Sequence, residues 1–283
     1  MAKTALPYNP PTPLPSVPGV PKMTTTVLCS TPRPGVAEIR FNRPDRLNAV
    51  VEALFRETLD ALAEAERDRE VRVVVVSGEG RAFCVGADLK EHARAQRTAW
   101  QKREYLQLAT EVCARIHRLK KPVIAAVNGH ALGAGAEMAI NADFLLIAQS
   151  ARIGFPETSI GTFIGGGLTH VLPQLVGLAK ARELVFLGER IDGNEAKTIG
   201  LATAVFPDAT FRDDVYTFAE QLAAQAPLSI ALAKEQLNRG AERAYDTALV
   251  TELEGVLACM MTRDWQEGID AFAAKRKPVF RGE

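Results

Sequence analysis

The sequence predicts an α/β protein built on a parallel sheet, and three observations carry that expectation. Val71-Arg72-Val73-Val74-Val75-Val76-Ser77-Gly78 is a run of β-branched residues without polar alternation, the pattern of a strand buried on both faces. Amphipathic helical stretches alternate with such runs in the order strand, helix, strand, helix, strand, helix, strand, which requires right-handed crossovers. Glycine-marked loops follow two of the strands, as tight βα connections demand.

Residues 1–22 hold seven of the sixteen prolines and almost no charge. They have neither the apolar core of a signal peptide nor the Arg-rich amphipathicity of a transit peptide, and read as a disordered, Pro-rich extension. Thr25-Thr26-Val27-Leu28-Cys29 and Val36-Ala37-Glu38-Ile39-Arg40-Phe41 predict two strands around a turn at Pro32 to Gly35. A polar, proline-marked loop over 42–49 precedes a helix over 51–67, with Leu54, Leu59, Leu62 and Ala65 on one side and charges on the other. After the valine strand comes a loop over 79–91, then one long charge-rich helix over 93–119. Val123-Ile124-Ala125-Ala126-Val127, opened by Pro122, is a buried strand; the glycines that follow lead into a helix supported by Ala136, Met138, Ala139 and Ile140. Residues 143–148 form a further buried strand.

Beyond Ala151 the strands nearly stop. Loops over 153–157 and 160–167 lead into helices expected over 168–172, 178–187, 193–199, 211–225, 229–243, 245–261 and 264–275. The last of these keep apolar faces, such as Leu253, Leu257 and Met260, which suit subunit packing or a lid. The expected division is a core over 23–205 and a helical region over 206–283.

Lys+Arg and Asp+Glu both number 34, so the net charge is zero and no global field favours nucleic acid or an anionic membrane. The four cysteines are scattered without metal-ligand spacing, and read as reduced thiols of a cytoplasmic protein with no metal site. No apolar run approaches the roughly 18 residues of a membrane span. GxGxxG, P-loop and GxSxG motifs are all missing, which removes the common dinucleotide, nucleotide and serine-nucleophile sites.

The residues left to carry chemistry lie near the glycine loops. Val85-Gly86-Ala87-Asp88 and Leu132-Gly133-Ala134-Gly135 each follow a strand and each offer backbone amides. Taken singly, each is a tight turn; converging on one carbonyl oxygen, they make an oxyanion hole. Glu137 and Glu157 stand beside such loops, either as dipole-favoured or solvated carboxylates, or as an acid/base pair. Lys275-Arg276-Lys277-Pro278 is a solvated end or a phosphate grip.

Together, Phe41-Asn42-Arg43-Pro44…Leu47-Asn48-Ala49, Ala82 to Glu91, Ala125 to Ala139 and Pro156-Glu157 resemble the enoyl-CoA hydratase/isomerase (crotonase) family, in the family's order and from about Thr24 to the end. The resemblance implies a crotonase-like spiral of ββα turns with a C-terminal helical trimerisation region. It implies an acyl-CoA thioester as substrate and no separate cofactor, coenzyme A being part of that substrate. Ala87 and Ala134 match the oxyanion amides, the second position commonly being glycine in the family. Glu137 matches the base that activates water and Glu157 the donor to the α-carbon. Arg46, Asn48, Ala49, Asp88, Leu89, Lys90 and Gly133 fall where the family binds its substrate, and Lys275 where it meets the 3′-phosphate. Both glutamates are present, which favours an enoyl-CoA hydratase in fatty acid metabolism, assembled as a homotrimer or homohexamer. A double-bond isomerase, an acyl-CoA hydrolase, a methylglutaconyl-CoA-type hydratase and an RNA-contacting protein without catalysis are the alternatives.

Overall fold

The computed structural model describes residues 25–240 and 243–283; the Pro-rich extension expected over 1–22 lies outside them. The chain opens with an antiparallel pair, β1 (Val27–Arg33) and β2 (Val36–Phe41), followed by α1 (Glu52–Arg67). Then a two-strand unit recurs: β3 (Val73–Gly78) and β4 (Ala82–Cys84), β5 (Val123–Val127) and β6 (His130–Leu132), β7 (Phe144–Ala148) and β8 (Arg152–Gly154). Helices α2 (Leu89–Arg94) and α3 (Ala99–Arg118) follow the first unit, and α4 (Ala134–Ile140) follows the second. A 3-10 turn (Pro156–Ile160) and α5 (Leu168–Leu187) follow the third. The first strand of each unit joins a six-stranded sheet of order β1-β2-β3-β5-β7-β10, and the second joins a four-stranded sheet of order β4-β6-β8-β9. Here β9 is Arg190–Asp192 and β10 is Ala204–Phe206, separated by α6 (Gly193–Thr198).

Each passage from one sheet to the other is a spiral turn, and the first two turn at a glycine that nothing larger could replace. A Cβ on Gly78 would lie 2.2 Å from the Ala82 carbonyl oxygen, and one on Gly129 2.2 Å from that of Arg81. The valine strand behaves as its composition dictates: β3 pairs in parallel with β2 and β5, and all of its residues are buried. Helix α1 buries Leu54, Phe55 and Leu62 against this layer, and α3 buries Val112, Cys113 and Ile116.

Three differences from the sequence reading have physical causes. The helix expected over 93–119 is two, because Thr98 and Gln101 form a capping box that starts α3 afresh. The helices expected over 168–172 and 178–187 run together as α5 across a kink at Gly177, whose φ of 75° and ψ of 155° are not helical. Strands β4, β6, β8, β9 and β10 span three residues each, too few for alternation to register. Helix α7 (Phe211–Ala223) packs on the six-stranded sheet with Phe211, Val215, Tyr216 and Ala219 buried. The chain ends with α8 (Pro227–Gly240), α9 (Tyr245–Met260) and α10 (Arg263–Ala273); α9 buries no residue.

One contact brings the layers together. A Cβ on Gly135 would lie 2.0 Å from the Cys84 carbonyl oxygen, so α4 can abut the end of β4 only with glycine there. Gly135→Ala should therefore cost about 3 kcal/mol or more, read from urea midpoints. Gly240→Ala, whose methyl meets no described residue within 4 Å, should change stability by less than about 0.5 kcal/mol.

Candidate active site

Two loops meet at the end of the four-stranded sheet. In the first, the Val50 N–H donates to the Gly86 carbonyl at 2.7 Å and the Asp88 N–H donates to the Val50 carbonyl at 3.0 Å. This parallel bridge turns the Ala87 N–H away from Val50, leaving it with no protein acceptor among the described residues. In the second, Gly133 (φ 53°) precedes α4, and Ala134 is that helix's first residue, so its N–H has no intrahelical acceptor. A Cβ on Gly86 (φ 85°) would sit 2.9 Å from the Leu132 carbonyl oxygen and 3.4 Å from the Ala134 nitrogen. The half-exposed Ala87 and Ala134 are thus carried on backbones in close contact.

Both glutamates reach this junction. Glu137 lies one turn into α4 and Glu157 lies in the 3-10 turn after β8; both are buried. The Gly165 N–H donates to Glu137 Oε1 at 2.5 Å. A Cβ on Gly133 would sit 3.0 Å from Glu157 Oε1, so glycine there lets that carboxyl approach the backbone. Glu157 Oε2 is buried without a protein hydrogen-bond partner. A buried carboxyl oxygen left unbonded costs stability, and persists here beside two free amides and a second carboxyl.

The loop over 43–50 buttresses the rim. Arg43 reaches Asp88 Oδ2 at 3.2 Å and also donates to the Ala49 carbonyl, while Asp88 Oδ1 accepts the Glu91 N–H at the start of α2. Burial works against the Asp88 charge, but the Glu91 amide, Arg43 and Arg46 hold its carboxyl below the usual range. Arg46, Leu89 and Lys90 are exposed on this rim. Asn48 differs: it is fully buried, donating to the Glu79 and Ala82 carbonyls at 3.0 and 2.8 Å and accepting from the Arg43 N–H at 2.8 Å. Its side chain is spent on holding the loop, so only the loop's shape can serve a ligand. Lys275 is exposed just past α10, a helix packed on α9.

Sequence reading overlooked three contributors. Gly165, whose amide meets Glu137, falls in the stretch 160–167 expected as loop, where Gly165-Gly166-Gly167 signals close approach. The buried Cys113 of α3 presses on the same loop, its Sγ lying 2.7 Å from where a Cβ on Gly166 would be. Asn141, at the end of α4, donates to the Glu137 and Gly166 carbonyls. A cavity of about 430 Å³ elsewhere holds the buried Lys234–Asp143 pair, with Lys234 Nζ spent on Asp143 and backbone carbonyls. Neither glutamate lines it.

Burial pushes the Glu137 carboxyl up to about 7; the Gly165 amide opposes this and the Glu157 charge adds to it. Burial also raises Glu157. A carboxyl raised in the folded state holds its proton more tightly there than in the unfolded chain. Stability therefore falls as pH rises from the ordinary value of 4.5 through about 7, and the cost is complete above that. It is on the order of 3 kcal/mol, from an ordinary value of 4.5 and a folded one of about 7. Glu137→Gln should raise the urea midpoint above pH 7 and give no gain below about pH 4.5.

The sequence profile of the enoyl-CoA hydratase/isomerase family matches residues 32–283. A short-chain-enoyl-CoA hydratase of Clostridium acetobutylicum is 36% identical over 243 residues, 86% of this chain and 92% of its own. A 2,3-dehydroadipyl-CoA hydratase of Escherichia coli is 36% identical over 244 residues, covering 86% and 94%. The crystal structure of an enoyl-CoA hydratase from Bacillus anthracis superposes with a TM-score of 0.87 at 36% identity, covering 91% of this chain and 100% of that one. The chain is an enzyme of the crotonase fold and belongs to the enoyl-CoA hydratase/isomerase family.

Proposed function

We propose that the protein is an enoyl-CoA hydratase that adds water across the double bond of a 2-enoyl-CoA to give a 3-hydroxyacyl-CoA. The observation that carries this reading is the convergence of two buried carboxyls with two unpartnered backbone amides at one junction. In the proposed reaction Glu137 takes a proton from water as the water oxygen bonds the β-carbon. The displaced electron pair moves through the α-carbon to the thioester oxygen, where the Ala87 and Ala134 N–H groups hold the enolate charge. Glu157 then delivers a proton to the α-carbon. One ionised and one protonated carboxyl meet those requirements, and a pair whose charges oppose each other favours that state.

The thioester's coenzyme A portion is proposed to lie along the rim formed by Arg46, Ala49, Asp88, Leu89 and Lys90. No cofactor beyond the substrate enters the scheme. A role in fatty acid metabolism agrees with the short-chain-enoyl-CoA hydratase among the relatives. The cytoplasm suits four thiols that are all free; among the described residues, no helix is long and apolar enough to cross a membrane. A homotrimer, alone or paired as a hexamer, is proposed because Val250, Leu253, Val256 and Met261 stand exposed in and beside α9. An apolar face of that extent is the mark of an interface.

A panel of 2-enoyl-CoA thioesters, with product identified by mass, tests the reaction. Glu137→Gln and Glu157→Gln should each lower kcat by at least about a hundredfold while still binding thioester. Wild-type hydration by either variant would remove the two-carboxyl scheme. Light scattering should give a mass that is a multiple of three 30.7 kDa chains, whereas a monomer would remove the proposed assembly.

A further inference from the structure

Glu137 has one protein hydrogen-bond donor to its carboxylate among the described residues, the Gly165 N–H. That amide belongs to a glycine-rich loop, whose backbone is freer than most, so a fixed donor there calls for a second hold. That hold is visible on the far side of α4. Asn141 is buried at the helix's C-terminal end, with its amide nitrogen 2.8 Å from the Glu137 carbonyl oxygen and 2.7 Å from the Gly166 carbonyl oxygen. A carboxamide nitrogen has two hydrogens, and here each goes to a different carbonyl. One ends on the peptide of the glutamate itself. The other ends on the residue next to the glycine that bonds its carboxylate.

The loop is also held from the opposite side. Gly166 has a φ of 58°, and a Cβ there would lie 2.7 Å from Cys113 Sγ and 3.1 Å from Glu137 Cβ. The loop therefore sits between α3 and α4: contact with Cys113 stops it from moving in, and Asn141 stops it from moving out. The charge of Glu137 answers to Glu157 of the 3-10 turn and to Cys113 of α3, whose thiol burial and the Glu137 charge keep protonated. Neither of these donates a hydrogen bond to the carboxylate, so the Gly165 amide is left as its local stabiliser.

We propose that Asn141 is a positioning residue for Glu137, clamping the loop over 164–167 to α4 so that the Gly165 amide stays on the carboxylate. It rests on the reading of Glu137 as the water-activating base, but its effect on Glu137 can be read without substrate.

Without the clamp the Gly165 bond weakens, the charged form of Glu137 becomes costlier, and its proton is held to higher pH. By linkage, Asn141→Ala should lose more stability at pH 8.5 than at pH 5, whereas a helix cap with no hold on Glu137 loses the same amount at both. In a Glu137→Gln background the pH dependence of the loss should vanish. With an enoyl-CoA the variant should show kcat lowered by roughly tenfold to a hundredfold at pH 7 and KM within about threefold. The acid limb of its pH–rate profile should move to higher pH. Asn141→Ser, which retains one donor, serves if the alanine variant does not fold, and should show the same pattern in weaker form. A stability loss equal at the two pH values, or unaffected by Glu137→Gln, would overturn the proposal even if hydration is confirmed. A protein that hydrates no enoyl-CoA yet shows the pH-dependent loss would keep the clamp and remove the base.

Discussion

The close approach of α4 to the end of β4 is the constraint on which the rest of the structure depends. Gly135 lies against the Cys84 carbonyl, and Gly86 lies against the Leu132 carbonyl. These contacts join two spiral turns at the points where each passes from strand to helix. The backbones that carry Ala87 and Ala134 are held in contact for that reason, and Glu137 follows one helical turn later. Side chains larger than hydrogen at those glycines would separate the backbones and with them the amides. The junction thus uses atoms every residue has, which is why alanine can stand at both amide-bearing positions.

What this junction gains in chemistry it loses in stability. Glu137 and Glu157 are buried with a single amide on one carboxylate and no partner on an oxygen of the other. Elsewhere among the described residues the fold does not leave its buried charges so bare. Glu38 is met by Ser77 and Arg212, Lys234 by Asp143 and backbone carbonyls, and Asp264 by the Arg281 and Gly282 amides. The contrast separates carboxyls tied into hydrogen bonds from two left with unmet hydrogen-bonding capacity, which is what the proposed proton transfer would require.

Much of this was legible in the sequence, and the limits are physical. Long buried strands announce themselves by composition, as the valines of β3 do, and amphipathic helices by their period. The second sheet does not, because its strands are three residues long and held by corners rather than by pattern. The amide-bearing loops and both glutamates could be named from motifs, but spacing alone leaves each with an ordinary structural explanation. Their meeting in space is what favours the chemical explanation over the structural one. Asn48 shows the opposite limit: a polar residue expected at the substrate is buried and spent on backbone carbonyls. Asn141 carried no sequence signal, since its two acceptors lie 4 and 25 residues away and only the fold brings them together.

The central claim is that these carboxyls and amides add water to an enoyl thioester. Incubating the protein with crotonyl-CoA in ¹⁸O-labelled heavy water tests it most directly. The account predicts a 3-hydroxybutyryl-CoA with ¹⁸O at the β-carbon and one solvent deuterium at the α-carbon, added to the same face. A shifted alkene, or free coenzyme A with ¹⁸O in the released acid, would contradict it.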